Sequence, residues 1–241
     1  MPAEKDGQDK VAVITGGGSG IGLAMARTFA ASGYSVVITG RDAKRLQKAA
    51  MTISADKKQI IGIPCDVRDP ASVEKLFQEI GKQHPTIDVL INNAGVAHSL
   101  AAVDQLPVET WKEVIDTNLT GTFLVTRAAL PLMRTGGTIV NNLSVAALQP
   151  FAGMSAYNAS KFGALGFTYA LREDLRIRGI RVVALLPGAT NTEIWGQFWP
   201  GAPREKMISA EAVAQAVLHA VSAPANTAVE EIRIGPTAGV L

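Results

Sequence analysis

The chain has few residues that could form cross-links or hold a metal. It contains one cysteine, Cys65, in 241 residues, which excludes an intrachain disulfide and any zinc site built on a CxxC pair. Its three histidines, His84, His98 and His219, are scattered without metal-ligand spacing. We therefore expect no metal site. A chain of this length buries roughly 70% of its unfolded surface, so its core can be sufficient without cross-links.

Long hydrophobic runs and an excess of one charge are also absent. No apolar run approaches the ~18 residues that cross a bilayer, and residues 1–10 are polar, unlike a signal peptide. Lys and Arg total 23 against 21 Asp and Glu, and a net charge of +2 is too balanced to indicate nucleic-acid binding. We expect a soluble, cytoplasmic, globular protein that binds neither nucleic acid nor membranes.

Short β-branched segments alternate with longer helical patterns along the chain. The patterns predict strands at 11–14, 35–39, 60–63, 87–91, 138–140, 180–186 and 229–234. They predict helices at 19–32, 41–54, from 69 onward, 107–133, 155–178 and 209–222. This alternation is typical of a parallel sheet with helices on both faces. We predict a doubly wound, Rossmann-like α/β fold of about seven strands in three layers, as a single domain over residues 1–241.

Glycine is the residue present in excess, with 23 in the chain, against a usual share of about 7%. Five of the 23 lie within Thr15–Gly22, directly after the first predicted strand and at the start of the first helix. Glycine lets a backbone turn sharply and approach a pyrophosphate, and a helix N-terminus presents free N–H groups to it. This placement predicts a dinucleotide site. Its glycines are spaced TGxxxGxG rather than GxGxxG.

The TGxxxGxG spacing resembles the short-chain dehydrogenase/reductase family, in its short single-domain branch. Further motifs of that family follow in its order, covering about residues 10–235. They are an NNAG motif at Asn92–Gly95, Asn118 in a helix, Ser144 after the fifth strand, YxxxK at Tyr157–Lys161, and Pro187-Gly188 followed by Thr190. The resemblance implies a hydride-transferring oxidoreductase with a bound nicotinamide cofactor.

The catalytic residues implied by the resemblance are Asn118, Ser144, Tyr157 and Lys161. Tyr157 and Lys161 are four residues apart on a predicted helix and so share a face. A phenol titrates near pH 10, but a neighbouring ammonium favours its ionised form. Tyr157 would exchange a proton with the substrate, and Ser144 would hydrogen-bond the same substrate oxygen. In the family, Lys161 also binds the ribose, and the main chain of Asn118 holds a water of a proton relay.

The resemblance also implies which residues bind the cofactor. NAD-preferring members carry an acid at the end of the second strand, whereas this chain has Gly40 and then Arg41, and Arg can pair with a 2′-phosphate. NADP(H) is therefore expected, with NAD(H) less favoured, although Ser19 stands where many NADP-binding members have a basic residue. Asp66 is expected to accept from the adenine amino group. The expected cofactor residues are Gly16, Gly18, Ser19, Gly20, Ile21, Gly22, Arg41, Asp66, Val67, Asn93, Ala94, Gly95, Tyr157, Lys161, Pro187, Gly188 and Thr190.

An irregular segment at about 188–207 is expected to form the substrate loop. Its aromatic residues, Trp195, Phe198 and Trp199, fit either an apolar lid or packing of the loop onto the domain. Arg204 and Lys206 are candidates to bind an anionic substrate group. The expected substrate is a small or apolar alcohol or ketone, such as a hydroxy acid, a 3-oxoacyl compound or another carbonyl. The alternative is a non-catalytic NADP(H)-binding regulator of the same fold.

Members of this family usually pair through their two long helices. Phe123 and Phe167 lie on faces of the predicted helices that are compatible with such pairing. We therefore expect a homodimer or homotetramer.

Overall fold

The computed structural model describes residues 10–53 and 60–239. The predictions for the polar segment before Lys10 and for the end of the second helix at Ser54 lie outside these residues.

Seven strands form one parallel sheet in the order β3-β2-β1-β4-β5-β6-β7. The order reverses between β1 and β4, and in open parallel sheets the crevice at such a reversal binds ligands beyond the carboxyl ends of the strands. The predicted doubly wound α/β fold is confirmed. The strands are β1 Val11–Thr15, β2 Ser35–Gly40, β3 Ile60–Pro64, β4 Ile87–Asn92, β5 Met133–Asn142, β6 Arg181–Pro187 and β7 Glu231–Ile234.

Helices cover both faces of the sheet and enclose a core on each side. One core packs α1, α2 and α8 against the sheet, and the other packs α3, α5 and α6. The bounds are α1 Gly20–Ala31, α2 Ala43–Ile53, α3 Pro70–Gln83, α4 Val108–Ile115, α5 Gly121–Ala129, α6 Ser155–Arg176, α7 Trp195–Phe198 and α8 Ala210–Val221. In the described part of the chain, no helix has both the length and the apolar character to cross a membrane.

The predicted single helix over 107–133 is wrong. It divides into α4 and α5 around a π-helical turn at Asp116–Thr120, and it ends at Ala129 because Pro131 cannot continue a helix. The following strand starts at Met133, earlier than predicted, and its register shifts before Thr138. The π turn matters for the site because it contains Asn118.

A buried hydrogen-bonded network ties the central strands to the helices on one face. Asn92 at the end of β4 donates to Thr126 on α5 at 2.9 Å and to Asn141 on β5 at 2.8 Å. Asn141 in turn donates to Thr168 on α6 at 2.9 Å. All four side chains are buried, so each partner satisfies a polar group that water cannot reach. The network fixes α5 and α6 relative to the carboxyl ends of the strands.

We predict that Asn141→Ala lowers the free energy of unfolding by about 2–4 kcal/mol, because it leaves polar groups of Asn92 and Thr168 buried without that partner. Urea denaturation followed by circular dichroism measures this change. Asn226→Ala, at an exposed position, is the control and should stay within about 0.5 kcal/mol of the wild type. Equal stability of the two variants would contradict the network's role.

Candidate active site

A cleft of about 700 Å³ opens at the carboxyl ends of the strands, where the strand order reverses. The predicted site residues that line it are Gly16, Ser19, Gly20, Ile21, Asn93, Ala94, Gly95, Ser144, Tyr157, Lys161, Pro187, Gly188 and Thr190. The other predicted site residues, which are not among its lining, are Gly18, Gly22, Arg41, Asp66, Val67 and Asn118.

The glycine turn brings the start of α1 against the end of β4. Gly16 adopts a φ of +64°, a left-handed conformation that glycine tolerates best. A Cβ at Gly22 would lie 2.3 Å from the Gly16 carbonyl oxygen and 2.4 Å from Asn93 Nδ2. Only glycine therefore fits at position 22. Ser19 precedes the helix, and its side chain makes no capping hydrogen bond.

Asn93 and Ala94 hold this turn by donating hydrogen bonds to Thr15 and Gly16. The Thr15 hydroxyl oxygen accepts the backbone N–H groups of Asn93 and Ala94, each at 2.9 Å. The Asn93 side-chain amide donates to the carbonyls of Thr15 at 2.9 Å and Gly16 at 3.2 Å. The Asn93 side chain, predicted to bind the cofactor, is thus engaged with the protein backbone in this structure.

Asn142 at the end of β5 extends these contacts to α6. Its side-chain amide donates to Asn93 Oδ1 at 2.8 Å, and its carbonyl accepts from Lys161 Nζ at 3.0 Å. Lys161 is only 6% exposed, and burial lowers the pKa of its ammonium to about 8. The Lys161 Nζ lies 5.6 Å from the centre of the Tyr157 ring.

Ser144 begins a short 3₁₀ turn, Val145–Ala147, in which its hydroxyl accepts the Ala146 N–H at 3.1 Å. Asn158, next to Tyr157, donates to the carbonyls of Ala146 at 3.0 Å and Gln149 at 3.1 Å. This amide fixes the Ser144 turn against the first turn of α6. Burial raises the pKa of the Tyr157 phenol, and a hydrogen bond with Ser144 opposes that rise.

The side chain of Asn118 does not line the cleft but bonds to residues that adjoin it. Its amide donates to the Val96 carbonyl at 3.0 Å and to Ser160 Oγ at 3.0 Å, and its Oδ1 accepts the Val96 N–H at 2.8 Å. The resemblance predicts that the main chain of Asn118 holds a relay water, and in the structure its carbonyl accepts the Thr122 hydroxyl at 2.9 Å. The side chain therefore joins the loop after β4 to α6.

Arg41, Asp66 and Val67 lie near the carboxyl ends of β2 and β3. Asp66 is bonded to Arg68, whose Nε lies 2.9 Å from Oδ1 and whose Nη2 lies 2.6 Å from Oδ2. These hydrogen bonds hold the pKa of Asp66 below its usual value. Val67 packs against Gly121, where a Cβ would lie 2.8 Å from Val67 Cγ2.

Aromatic side chains of the segment at 188–207 line the cleft. Trp195 donates its indole N–H to the Thr190 carbonyl at 2.8 Å, and its ring lies 4.8 Å from that of Phe198. Trp195, Phe198 and Trp199 all line the cleft, so Trp195 both packs the loop and lines the cavity. Arg204 bonds to Asn191 and to the Thr192 carbonyl, within the loop itself.

Neither Arg204 nor Lys206, the predicted candidates for an anionic group, is among the residues that line the cleft. Arg233 on β7 does line it. Ile232 and Ile234 pack against the core with α1 and α8, so strand alternation places Arg233 on the opposite face, with α6. The alternating EIRI segment indicates that Glu231 and Arg233 share one face of the strand, but it does not indicate which face meets the cleft.

Other residues missed by the sequence interpretation position their neighbours. The sequence interpretation took Thr15 only as the first residue of the glycine motif and Asn158 as a spacer within YxxxK, and it gave Asn142 no role. An amide side chain at the end of a strand, as at Asn142, is the sequence feature that could have identified such a residue. Among the residues that the structure describes, no three His, Cys, Asp or Glu side chains are grouped as metal ligands.

Comparisons with known proteins agree with this geometry. A family model for the short chain dehydrogenases matches residues 10–202. An uncharacterized oxidoreductase of Staphylococcus saprophyticus is 34% identical over 232 residues, covering 95% of this chain and 98% of that protein.

Two solved structures share the fold over nearly their whole length. An alcohol dehydrogenase from the archaeon Thermococcus sibiricus, complexed with 5-hydroxy-NADP, has a TM-score of 0.88 at 29% identity, covering 95% of this chain and 97% of its own. The closed form of serine dehydrogenase complexed with NADP⁺ has a TM-score of 0.87 at 30% identity, covering 96% of each chain. Because the family model spans most of the chain and the strand order, glycine turn and YxxxK helix agree with it, this chain belongs to the short-chain dehydrogenase family.

Proposed function

We propose that the chain is a single-domain NADP(H)-dependent oxidoreductase acting on a small or apolar alcohol or ketone. One observation carries this proposal: Ser144, Tyr157 and Lys161 line the same cleft as the glycine turn. A proton donor and a dinucleotide-binding turn within one cleft suit hydride transfer coupled to proton transfer. The cofactors of the two structural neighbours, one bound to NADP⁺ and one to 5-hydroxy-NADP, support NADP(H) as the cofactor.

The residues of the cleft fit a dinucleotide. Left-handed Gly16 provides the tight turn that a pyrophosphate site needs, and Gly22 lets the start of α1 pack closely against that turn. The N-terminus of α1 offers N–H groups that the Ser19 side chain leaves free. Buried Lys161 would bind the ribose hydroxyls, and Pro187, Gly188 and Thr190 would border the nicotinamide. The nicotinamide, when bound, supplies or accepts the hydride.

Tyr157 would transfer the proton to or from the substrate oxygen. Burial raises the pKa of this phenol, and by itself this effect would keep the phenol protonated at neutral pH. The positive charge of Lys161 and the hydrogen bond with Ser144 favour the phenolate, which makes proton transfer near neutral pH possible. Ser144 would donate a hydrogen bond to the substrate oxygen as charge develops on it. Asn118 would act by positioning the Val96 loop and α6, in addition to the predicted relay through its main chain.

The cleft favours a substrate with an apolar body. Its substrate side is lined mainly by apolar side chains, and within the described residues its charged lining residues are Lys161, Glu193 and Arg233. Glu193 is paired with Arg45 at 3.4 Å. Arg233 could bind a carboxylate on such a substrate, which favours hydroxy or oxo acids within the proposed class. The apolar lining residues on this side are Leu100, Leu143, Val145, Phe151, Met154, Ile194, Trp195, Phe198 and Trp199.

We predict that Tyr157→Phe lowers kcat/KM by about 10³-fold, since it removes the proton donor and keeps the ring. Loss of NADPH absorbance with a panel of ketones and oxo acids measures turnover, and fluorescence titration measures NADPH binding, which should change less than about threefold. Tyr169→Phe, which removes an exposed hydroxyl bonded to Glu231, is the matched control and should retain wild-type turnover.

The same panel distinguishes the enzyme from a non-catalytic NADP(H)-binding regulator. Wild-type protein that binds NADPH tightly and reduces no member of a broad panel would favour the regulator. Equal turnover by the wild type and Tyr157→Phe would refute the assignment of Tyr157.

We predict that Lys161→Met abolishes turnover and yet stabilises the cofactor-free protein by about 1–3 kcal/mol at pH 7. Burial lowers the pKa of Lys161 from 10.5 to about 8, so folding opposes its protonation. The loss of folding free energy caused by burying the protonated Lys161 is present in full below pH 8 and disappears as the pH rises to 10.5. Urea denaturation at pH 7 and at pH 10 should show the advantage of the variant shrinking.

The exposed Lys112→Met variant controls for the loss of one positive charge. A Lys161→Met protein that is less stable than the wild type at pH 7 would show that the Asn142 hydrogen bond outweighs the cost of burying the charge.

We also propose that the protein is a cytoplasmic homodimer or homotetramer that pairs through α5 and α6. Phe123 is 43% exposed and meets Phe167 edge-on, with ring centres 6.1 Å apart, and Phe162 and Tyr169 are also exposed on α6. We predict that Phe123→Glu halves the mass measured by light scattering after gel filtration, because a charge would be buried at the interface. Met51→Glu, on the exposed face of α2, should not change it. A monomeric wild type would refute the pairing.

A further inference from the structure

Two arginine side chains converge on one carboxylate oxygen near the carboxyl ends of β2 and β3. Arg41 follows β2, and its Nη1 lies 3.8 Å from Glu113 Oε1. Arg68 lies beyond the end of β3, and its Nη1 lies 3.7 Å from the same oxygen. Glu113 is on α4, so three separate elements bring these side chains together. The glutamate oxygen marks a point where an anion is flanked by two guanidinium groups.

Asp66 orients Arg68 toward this point. Both of its carboxylate oxygens are bonded to the Nε and Nη2 of Arg68, which leaves Nη1 to face Glu113. The sequence interpretation assigned Asp66 to the adenine amino group. In the structure the carboxylate is already paired, and it fixes the direction of a second basic side chain.

Glu113 holds both arginines weakly. Its two contacts are longer than hydrogen bonds, and its side chain and that of Arg41 are each about half exposed. Exposed ion pairs of this kind contribute little and are easily exchanged. A phosphate dianion presents three oxygens and forms shorter, charge-assisted bonds to guanidinium groups. A phosphate at this point would therefore displace the glutamate.

Resting on the proposed NADP(H)-dependent function, we propose that Arg68 is a second binding residue for the ribose 2′-phosphate, opposite Arg41. We further propose that Glu113 competes with that phosphate for the two arginines and so sets the affinity for the phosphorylated cofactor.

Isothermal titration of the cofactor-free protein with 2′,5′-ADP and with 5′-AMP tests the proposal without turnover, because the two probes differ by the 2′-phosphate. Arg68→Gln should weaken 2′,5′-ADP binding by about tenfold and 5′-AMP binding by less than about twofold. Arg41→Gln should act in the same direction. Glu113→Gln should tighten 2′,5′-ADP binding about three- to tenfold and leave 5′-AMP binding unchanged.

The controls remove the same charges elsewhere. Arg176→Gln and Glu173→Gln break an exposed ion pair on α6 and should change neither affinity. A double variant tests whether the two residues share one site. When Arg68→Gln is already present, adding Glu113→Gln should change the free energy of 2′,5′-ADP binding by at most half as much as it does in the wild type.

The outcomes separate the two proposals. Wild-type protein that binds 2′,5′-ADP better than 5′-AMP, with a ratio unchanged in Arg68→Gln and Glu113→Gln, would overturn this inference and leave the proposed function standing. Wild-type protein that binds neither probe would overturn both. Equal weakening of both probes by Arg68→Gln would assign the residue to the adenosine and overturn its role toward the phosphate.

Discussion

Asn93 connects the two halves of the cleft, and the rest of the site depends on its hydrogen bonds. Its amide holds the Gly16 carbonyl, its Oδ1 accepts from Asn142, and the Asn142 carbonyl accepts from Lys161. One continuous series of hydrogen bonds therefore runs from the glycine turn to Lys161 on α6. The Cβ that Gly22 lacks would collide with this amide. A shift at either end would move the proposed dinucleotide site relative to the proposed proton donor.

The site is maintained at a cost to stability. Lys161 is a buried ammonium group whose lowered pKa records the penalty of leaving water, and a glycine-rich turn is entropically expensive to order. The surrounding sheet supplies the rigidity that offsets these costs. Two apolar cores enclose the central strands, and the Asn92–Asn141 network fixes the helices on one face. Protein stability and the proposed chemistry thus make opposite demands on Lys161.

Local patterns in the sequence predicted the fold class, and 13 of the 19 predicted site residues line the cleft. The strand alternation and the turn after β1 depend on neighbouring residues, which a single sequence shows directly. The π turn at Asn118 was missed because its flanking residues keep helical backbone angles and no residue type marks such a turn, so 107–133 resembled one helix. The two arginine partners of Glu113 come from different elements, and no spacing rule brings Arg41 and Arg68 together. The cleft residue Arg233 depends on which face of β7 packs against the core, which only the assembled sheet determines.

Direct detection of hydride transfer tests the central claim, that this cleft is an NADP(H)-dependent redox site. The protein would be incubated with NADPH carrying deuterium at the transferable position and with a panel of apolar ketones and oxo acids, and the products examined by mass spectrometry. We expect one deuterium at the former carbonyl carbon of at least one product. NADPH binding without deuterium in any product would contradict it.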